Sequence, residues 1–209
     1  GTTSINGGTL APGNSIGTLT VNGSLTITAA STYLVQVSGT SSDKTVVTGA
    51  AALAGTVVVD PLVRVAATTT YTILSSTGTT GSFSAAQMAT NFARNPRLSY
   101  VGNSVLLTLD PGLLSPSLPG NANINQRNVA GGIDNALLAG GNPPTGFNAL
   151  FNLTGANLGA ALTQASGETA TGAQQTTFSA MSQFMGTLLD PFIGGRAGAP
   201  APAGSASFY

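Results

Sequence analysis

Histidine, cysteine and tryptophan are absent from this chain of 209 residues, and its 6 Lys+Arg are matched by 6 Asp+Glu. Each absence removes a class of chemistry. The usual His/Cys zinc centres, thiol catalysis, haem attachment and Ser-His-Asp triads lack their residues. Nucleic-acid binding needs a basic stripe, and the net charge is zero. Charged residues make up only 6% of the chain, against about 25% in an average domain. Missing cysteine fits a reducing cytosol, or an exported chain that must stay unlocked until it has crossed a membrane. The opening Gly1-Thr2-Thr3-Ser4 has no basic-then-apolar leader, so the chain reads as a mature product or an excised fragment. Thr169 to Leu189 carries no charge, but Gln174, Gln175, Thr176, Thr177, Ser182 and Gln183 interrupt it, so a bilayer span is not expected.

What is present is small and apolar. Hydrophobic residues make up 42% of the chain, with 28 Gly and 11 Pro, enough to bury a core and unlike a disordered composition. Residues 1–109 read as β throughout. Thr18 to Val21 alternates, Asn22-Gly23 signals a turn, and Ser24 to Thr28 alternates again. Thr32 to Val37 places Tyr33, Val35 and Val37 on one face. Lys44 to Thr48, Leu53 to Asp60, Tyr71 to Ser75, Leu98 to Val101 and Val105 to Leu109 continue the series, the last pair joined by a tight turn at Gly102-Asn103. A sandwich or barrel would suit many short Thr-rich strands. The repeated Gly-Thr-Leu theme at Gly8 to Leu10 and Gly17 to Leu19 favours a right-handed parallel β-helix with an irregular terminal cap.

The second half changes character. Residues 110–125 form a Pro- and Gly-punctuated loop. Asn125 to Leu138 has helical spacing, with Val129, Ile133, Ala136 and Leu137 on one face. Asn157 to Gln164 is a shorter helix that aligns Leu158, Ala161 and Leu162. Ser166 reads as the N-cap of a third helix, with Glu168 near its positive end. Phe178, Met181, Met185, Leu188 and Phe192 follow at steps of 3 or 4, a stripe that normally faces a core, and Pro191 ends the helix. The chain is expected to divide into β coils with a cap (1–109), a loop linker (110–125), a helical linker (126–192) and a mobile Gly/Ala/Pro-rich tail (193–209).

Single residues invite sharper readings. Gly13-Asn14-Ser15-Ile16-Gly17 matches the G-x-S-x-G nucleophile elbow, but the chain has no His and the flanks are strand-turn-strand, so a coil corner is expected. Asp60 and Arg64 would form a surface pair or strand-end cap, Asp43-Lys44 a solvated turn, and Arg94 to Arg97 a loop. Arg127 and Asp134, two helical turns apart, are expected at the surface, with contact to charges in a channel as the sharper alternative. Two glycosylation sequons, at Asn22 and Asn152, carry little weight. No catalytic residue, metal or cofactor is expected.

An ordered set of segments resembles the end of type V autotransporter passengers. Leu10-Ala11-Pro12-Gly13-Asn14-Ser15-Ile16-Gly17 is similar to the "LAPGNSIG" segment near the end of their β-helix. Leu25 to Val37 resembles the pair ending in "YxVxV". Asp43 to Val59, Tyr71 to Leu74 and Leu98 to Leu109 match further strands in the family order. Asn125 to Ala130 resembles the "NQxxVA" helix. Ala165-Ser166-Gly167-Glu168 resembles "LSGE", with Ala165 in place of the usual Leu. The resemblance implies a non-catalytic junction between passenger and translocator, at the bacterial outer membrane or cell surface, with release after cleavage as a further route. It implies three partners: the chain's own outer-membrane translocator barrel, the outer-membrane assembly machinery and periplasmic chaperones. In such proteins the last coils act as an autochaperone and the helical linker enters the barrel. The alternative is a surface adhesin or self-associating solenoid whose faces bind host or neighbouring cells. A glycan-active β-helix enzyme is a third class and would need a clustered acidic groove.

Overall fold

A computed structural model describes residues 1–143 and 145–189. Residues 2–111 form a mainly β, parallel β-solenoid of about three turns, followed by helices. The first turn contains β1 (Thr2–Ile5), β2 (Gly8–Leu10) and β3 (Thr18–Val21). The second contains β4 (Ser24–Ile27), β5 (Ser31–Ser38), a short β6 (Ser41–Ser42) folded back on β5, and β7 (Lys44–Val47). The third contains β8 (Ala50–Leu53), β9 (Thr56–Pro61) and β10 (Thr69–Ser75). Corresponding strands stack into three parallel ladders. Thr2 pairs with Ser24, Thr32 with Thr56 and Thr56 with Ala85, so one turn consumes roughly 22 to 29 residues.

The Gly-Thr-Leu theme is therefore not the repeating unit. Gly8–Leu10 and Thr18–Val21 lie in one turn, on different ladders. The sequence-expected strand Leu53 to Asp60 likewise spans the last residue of β8, a corner at Ala54-Gly55 and most of β9, and Ala50 to Ala52 were not expected as a strand.

After β10 the chain adds β11 (Gly78–Gly81) and β12 (Ala85–Met88) to two ladders. It closes the third ladder with an antiparallel hairpin, β13 (Ala93–Val101) and β14 (Ser104–Pro111). The hairpin turns at Gly102-Asn103, where Gly102 takes φ 57. Arg94 and Arg97 lie in β13, across a bulge where Asn95 takes φ 48, and not in the expected loop. The hairpin changes the pairing from parallel to antiparallel and ends the stack at this side.

Alternation explains the strands. In β5 the side chains of Ser31, Tyr33, Val35 and Val37 point inward and are buried, while their neighbours are half-buried. Leu25, Ile27, Val57, Val59 and Ile73 meet them inside the coil, each removed from water almost entirely. Full burial of a side chain of this kind stabilises by about 1.5–3 kcal/mol relative to exposure. Tyr33 stacks on Phe83, ring centres 5.7 Å apart, and its hydroxyl meets Thr45 Oγ1 at 3.0 Å and donates to the Ile73 carbonyl.

Small corners permit the stacking. Gly23 takes φ +118, and a Cβ there would stand 1.9 Å from the Gly1 carbonyl oxygen; a Cβ on Gly49, one turn later, would stand 2.7 Å from the Gly23 carbonyl. The backbones of successive turns pass too closely at this corner for any side chain.

The chain divides into two compact units, residues 1–162 and 163–209. In the first, a 3-10 turn (Ser115–Ser117), helix α1 (Ile124–Leu138), a 3-10 helix (Thr145–Asn152) and most of α2 (Gly155–Ala165) form a second apolar cluster around Leu114, Leu137, Phe151, Leu158 and Leu162. Asn123 and Gln126 form a reciprocal capping box at the start of α1. The buried face of α1 carries Ala130, Asp134 and Leu137, with Val129 and Ile133 at its flank. Ala136, expected on that face, is exposed. In the second unit the last turn of α2 is followed by α3 (Glu168–Leu189). No helix among the described residues is long and apolar enough to cross a membrane.

Candidate functional site

The Leu10 to Gly17 segment is the second corner of the first turn. Leu10 ends β2, opposite Tyr33, and packs on the core. Ala11, Pro12, Gly13, Asn14, Ser15 and Ile16 then cross without regular structure to β3. A Cβ on Gly13 would lie 2.3 Å from the Ser15 carbonyl oxygen, so this bend admits only glycine. Ser15 is exposed. The segment is the coil corner expected of it.

What fixes this corner was not visible in the sequence. The Gly17 amide donates to Asp43 Oδ1 at 2.8 Å, and the Gln36 amide donates to Asp43 Oδ2 at 2.9 Å. The Lys44 amide in turn donates to the Gly17 carbonyl at 2.9 Å. Asp43 is completely buried, which overturns the solvated turn expected at Asp43-Lys44. A buried carboxylate needs partners, and here two backbone amides from successive turns supply them.

The other two corners of the first turn are held alike. The Gly7 amide donates to Ser31 Oγ at 2.9 Å, and the Gly23 amide donates to Thr48 Oγ1 at 2.9 Å. Each corner of the first turn thus presents one glycine N–H to a side-chain oxygen of the second turn. In all three cases the later turn supplies the side chain. The only trace in the sequence is an Asp, Ser or Thr beside a strand, a common pattern.

A second polar centre joins the solenoid to the helices. Arg64, expected to pair with Asp60, is 3% exposed and turned the other way. Its Nη1 donates to the carbonyls of Phe151 at 3.2 Å and Leu153 at 3.0 Å, and its guanidinium lies 5.2 Å above the Phe92 ring. Asp60 instead accepts from Gln36 Nε2 at 3.2 Å. Burial lowers the pKa of Arg64 from its ordinary value, and the charge of Asp134 opposes that shift. Asp134 is itself buried: its carboxylate accepts the amides of Leu114 at 2.7 Å and Ser115 at 2.9 Å. It therefore fits neither surface exposure nor contact with charges in a channel, while Arg127 is exposed as expected. A cavity of about 260 Å³ lies beside Arg64, between Gly39-Thr40 and Asn148 and Asn152.

On the cap, Arg97 forms a two-pronged ion pair with Asp110, at 2.9 and 2.8 Å; Asn95 Nδ2 adds a bond at 2.9 Å and Thr68 Oγ1 one at 3.2 Å. These bonds hold the Asp110 carboxyl far below the usual carboxylate range, the Arg97 bonds being the main cause.

The remaining sequence-expected residues lie in the second unit. Gly167 takes φ 76 and α3 begins at Glu168. Ser166 Oγ donates to the Thr163 carbonyl at 2.8 Å, a bond that serves the end of α2 and not the start of α3. Phe178, Met181 and Met185 are 68%, 61% and 42% exposed, so this stripe is not a core face within the described residues. Phe184 and Leu189 are exposed beside it, and Leu188 lies in α3. Pro191, Phe192 and the 193–209 tail fall outside the described residues. No family model, curated protein or solved structure matches the chain.

Proposed function

We propose that this chain is a non-catalytic junction between the passenger and the translocator of an autotransporter, promoting passenger folding and export across the outer membrane. The observation that supports this most is the direction of the corner bonds. Ser31, Asp43 and Thr48 of the second turn close the first turn at Gly7, Gly17 and Gly23. The other side of the stack is closed by the β13–β14 hairpin and the helices joined through Arg64. A later turn thus offers a formed template to an earlier one. That order suits a chain whose C-terminal part emerges first. Folding outside the membrane would then oppose backsliding, without a nucleotide.

Composition points the same way. Few charges, small side chains and no cysteine lower the cost of threading an unfolded chain through a narrow wet pore. The exposed Phe178, Met181 and Met185 offer α3 a face for its translocator barrel. The test supplies residues 1–162 in trans to cells that display a barrel-linked passenger lacking this segment. Recovery of protease-resistant passenger at the surface is expected. A passenger that stays protease-sensitive would overturn the reading.

A further inference from the structure

Two of the three corner glycines follow asparagine: Asn6-Gly7 and Asn22-Gly23. Asn-Gly is the sequence most open to succinimide formation, because glycine has no side chain to hinder its own amide nitrogen. In this reaction the glycine nitrogen attacks the asparagine Cγ. A new C–N bond forms, the bond from Cγ to the side-chain nitrogen breaks, and the glycine proton leaves with that nitrogen as ammonia. Water then opens the ring at either carbonyl, giving aspartate or β-linked isoaspartate. No oxidant, reductant or other reactant is needed.

The fold occupies both nucleophiles. The Gly7 N–H is committed to Ser31 Oγ and the Gly23 N–H to Thr48 Oγ1, each at 2.9 Å and each from the neighbouring turn. A nitrogen whose proton is held by an acceptor on one side cannot readily lose it and turn toward Cγ on the other. Asn6 and Asn22 are both exposed, so burial does not protect them. Protection rests on the corner bonds, and these exist only when the first two turns are stacked.

We propose that Asn6 and Asn22 are sites of spontaneous deamidation and isoaspartate formation, gated by stacking of the second turn on the first. The unstacked chain ages at these two positions and the stacked chain does not. The consequence is directional. An isoaspartate adds a methylene to the main chain, which moves the following glycine amide away from its acceptor. It also shifts β4 against Gly1, whose carbonyl accepts the Ser24 amide at 3.0 Å. A chain modified before it folds cannot close its first turn. The two asparagines thus limit how long the chain stays competent to fold. This depends on the corner chemistry alone and not on the export reading.

The test incubates the folded chain, and the same chain in concentrated urea, in mildly alkaline buffer. Peptide mass spectrometry measures Asp and isoAsp at positions 6 and 22. Slow modification at both sites when folded and fast modification in urea is expected; equal rates would overturn the proposal. Thr48→Val keeps the shape and removes one acceptor. It is expected to speed Asn22 about fivefold, the change in open population from losing one hydrogen bond, and to leave Asn6 alone. Ser31→Ala should do the reverse. An unchanged rate at the targeted site, or equal acceleration at both, would overturn the gating. Should either variant fail to fold, the wild-type comparison between folded chain and urea decides.

Discussion

Gly17 and Asp43 belong to successive turns of the solenoid, and the amide of the first meets the fully buried carboxylate of the second at 2.8 Å. The same carboxylate takes the Gln36 amide, so one side chain ties the Leu10 to Gly17 corner to the strand above it. Asp43→Ala leaves two amides without their acceptor, and a buried hydrogen bond to a charged group is worth about 1.5–3 kcal/mol. The variant is expected to lose about 3 kcal/mol in urea denaturation, with Asp43→Asn losing less. A loss below about 1 kcal/mol for Asp43→Ala would be at odds with the bond network.

Gly23→Ala meets two obstacles, φ +118 and a Gly1 carbonyl oxygen 1.9 Å from the new Cβ. Strain of this kind costs about 1–3 kcal/mol before the clash is counted. The expected result is a lower melting temperature together with loss of amide protection in β1 and β4, while β13 and β14 keep theirs. Uniform loss across the solenoid would show that the corner is not local.

Arg64 separates packing from charge. Its Nε and Nη2 are buried with no hydrogen-bond partner, whereas Nη1 serves two carbonyls. Arg64→Met keeps an apolar stem and removes the guanidinium over Phe92 together with its orphaned donors. Arg64→Ala removes the stem as well. Replacing a buried charge by an apolar group of similar volume is often mild, whereas truncation leaves a cavity. The alanine variant is expected to lose about 2–4 kcal/mol and the methionine variant clearly less, both measured by urea denaturation. Equal losses would show that the bonds to Phe151 and Leu153 dominate.

The cap carries an acid-sensitive element. Asp110 titrates far below its ordinary value of 3.8, chiefly because Arg97 bonds it; desolvation opposes the shift, and the bonds from Asn95 and Thr68 add to it. A depressed folded pKa stabilises fully above the unfolded value, and the gain fades as pH falls below it. Stability should therefore decline below about pH 4, and Arg97→Ala should flatten that decline while leaving the cysteine-free core intact. Melting curves of both proteins between neutral and acidic pH measure the difference. Parallel pH profiles would exclude the pair as the source.

Where a strand has an inside and an outside, its alternation was legible. Tyr33, Val35 and Val37 point inward as read, and the Gly102-Asn103 turn lies between β13 and β14. Other elements leave no such mark. β11 is Gly-Thr-Thr-Gly, polar and small, and is a strand because Ala50–Leu53 holds it in register. Leu53 to Asp60 reads as one run because Ala54-Gly55 turns a corner without a Pro or Asn to announce it, and the small Ala50 to Ala52 of β8 leave no strand pattern. The charged residues mislead most. Asp43, Arg64 and Asp134 look solvated one at a time, yet all three are buried, each bonded to backbone 20 to 89 residues away in at least one contact. Polar satisfaction of this kind depends on which turn stacks on which, and that is a property of the fold. The corners at Gly17 and Gly23 were readable as turns, the one at Gly7 was not, and none of their acceptors one turn later was.

In the proposed export role, folding of later turns draws the earlier chain outward. The direct measurement fuses the chain ahead of an autotransporter barrel and follows its appearance at the cell surface with external protease, for wild type and Asp43→Ala. The corner bond from Asp43 to Gly17 predicts slower surface exposure for the variant, in proportion to its slower refolding in solution. Surface exposure at the wild-type rate, with refolding impaired, would contradict it.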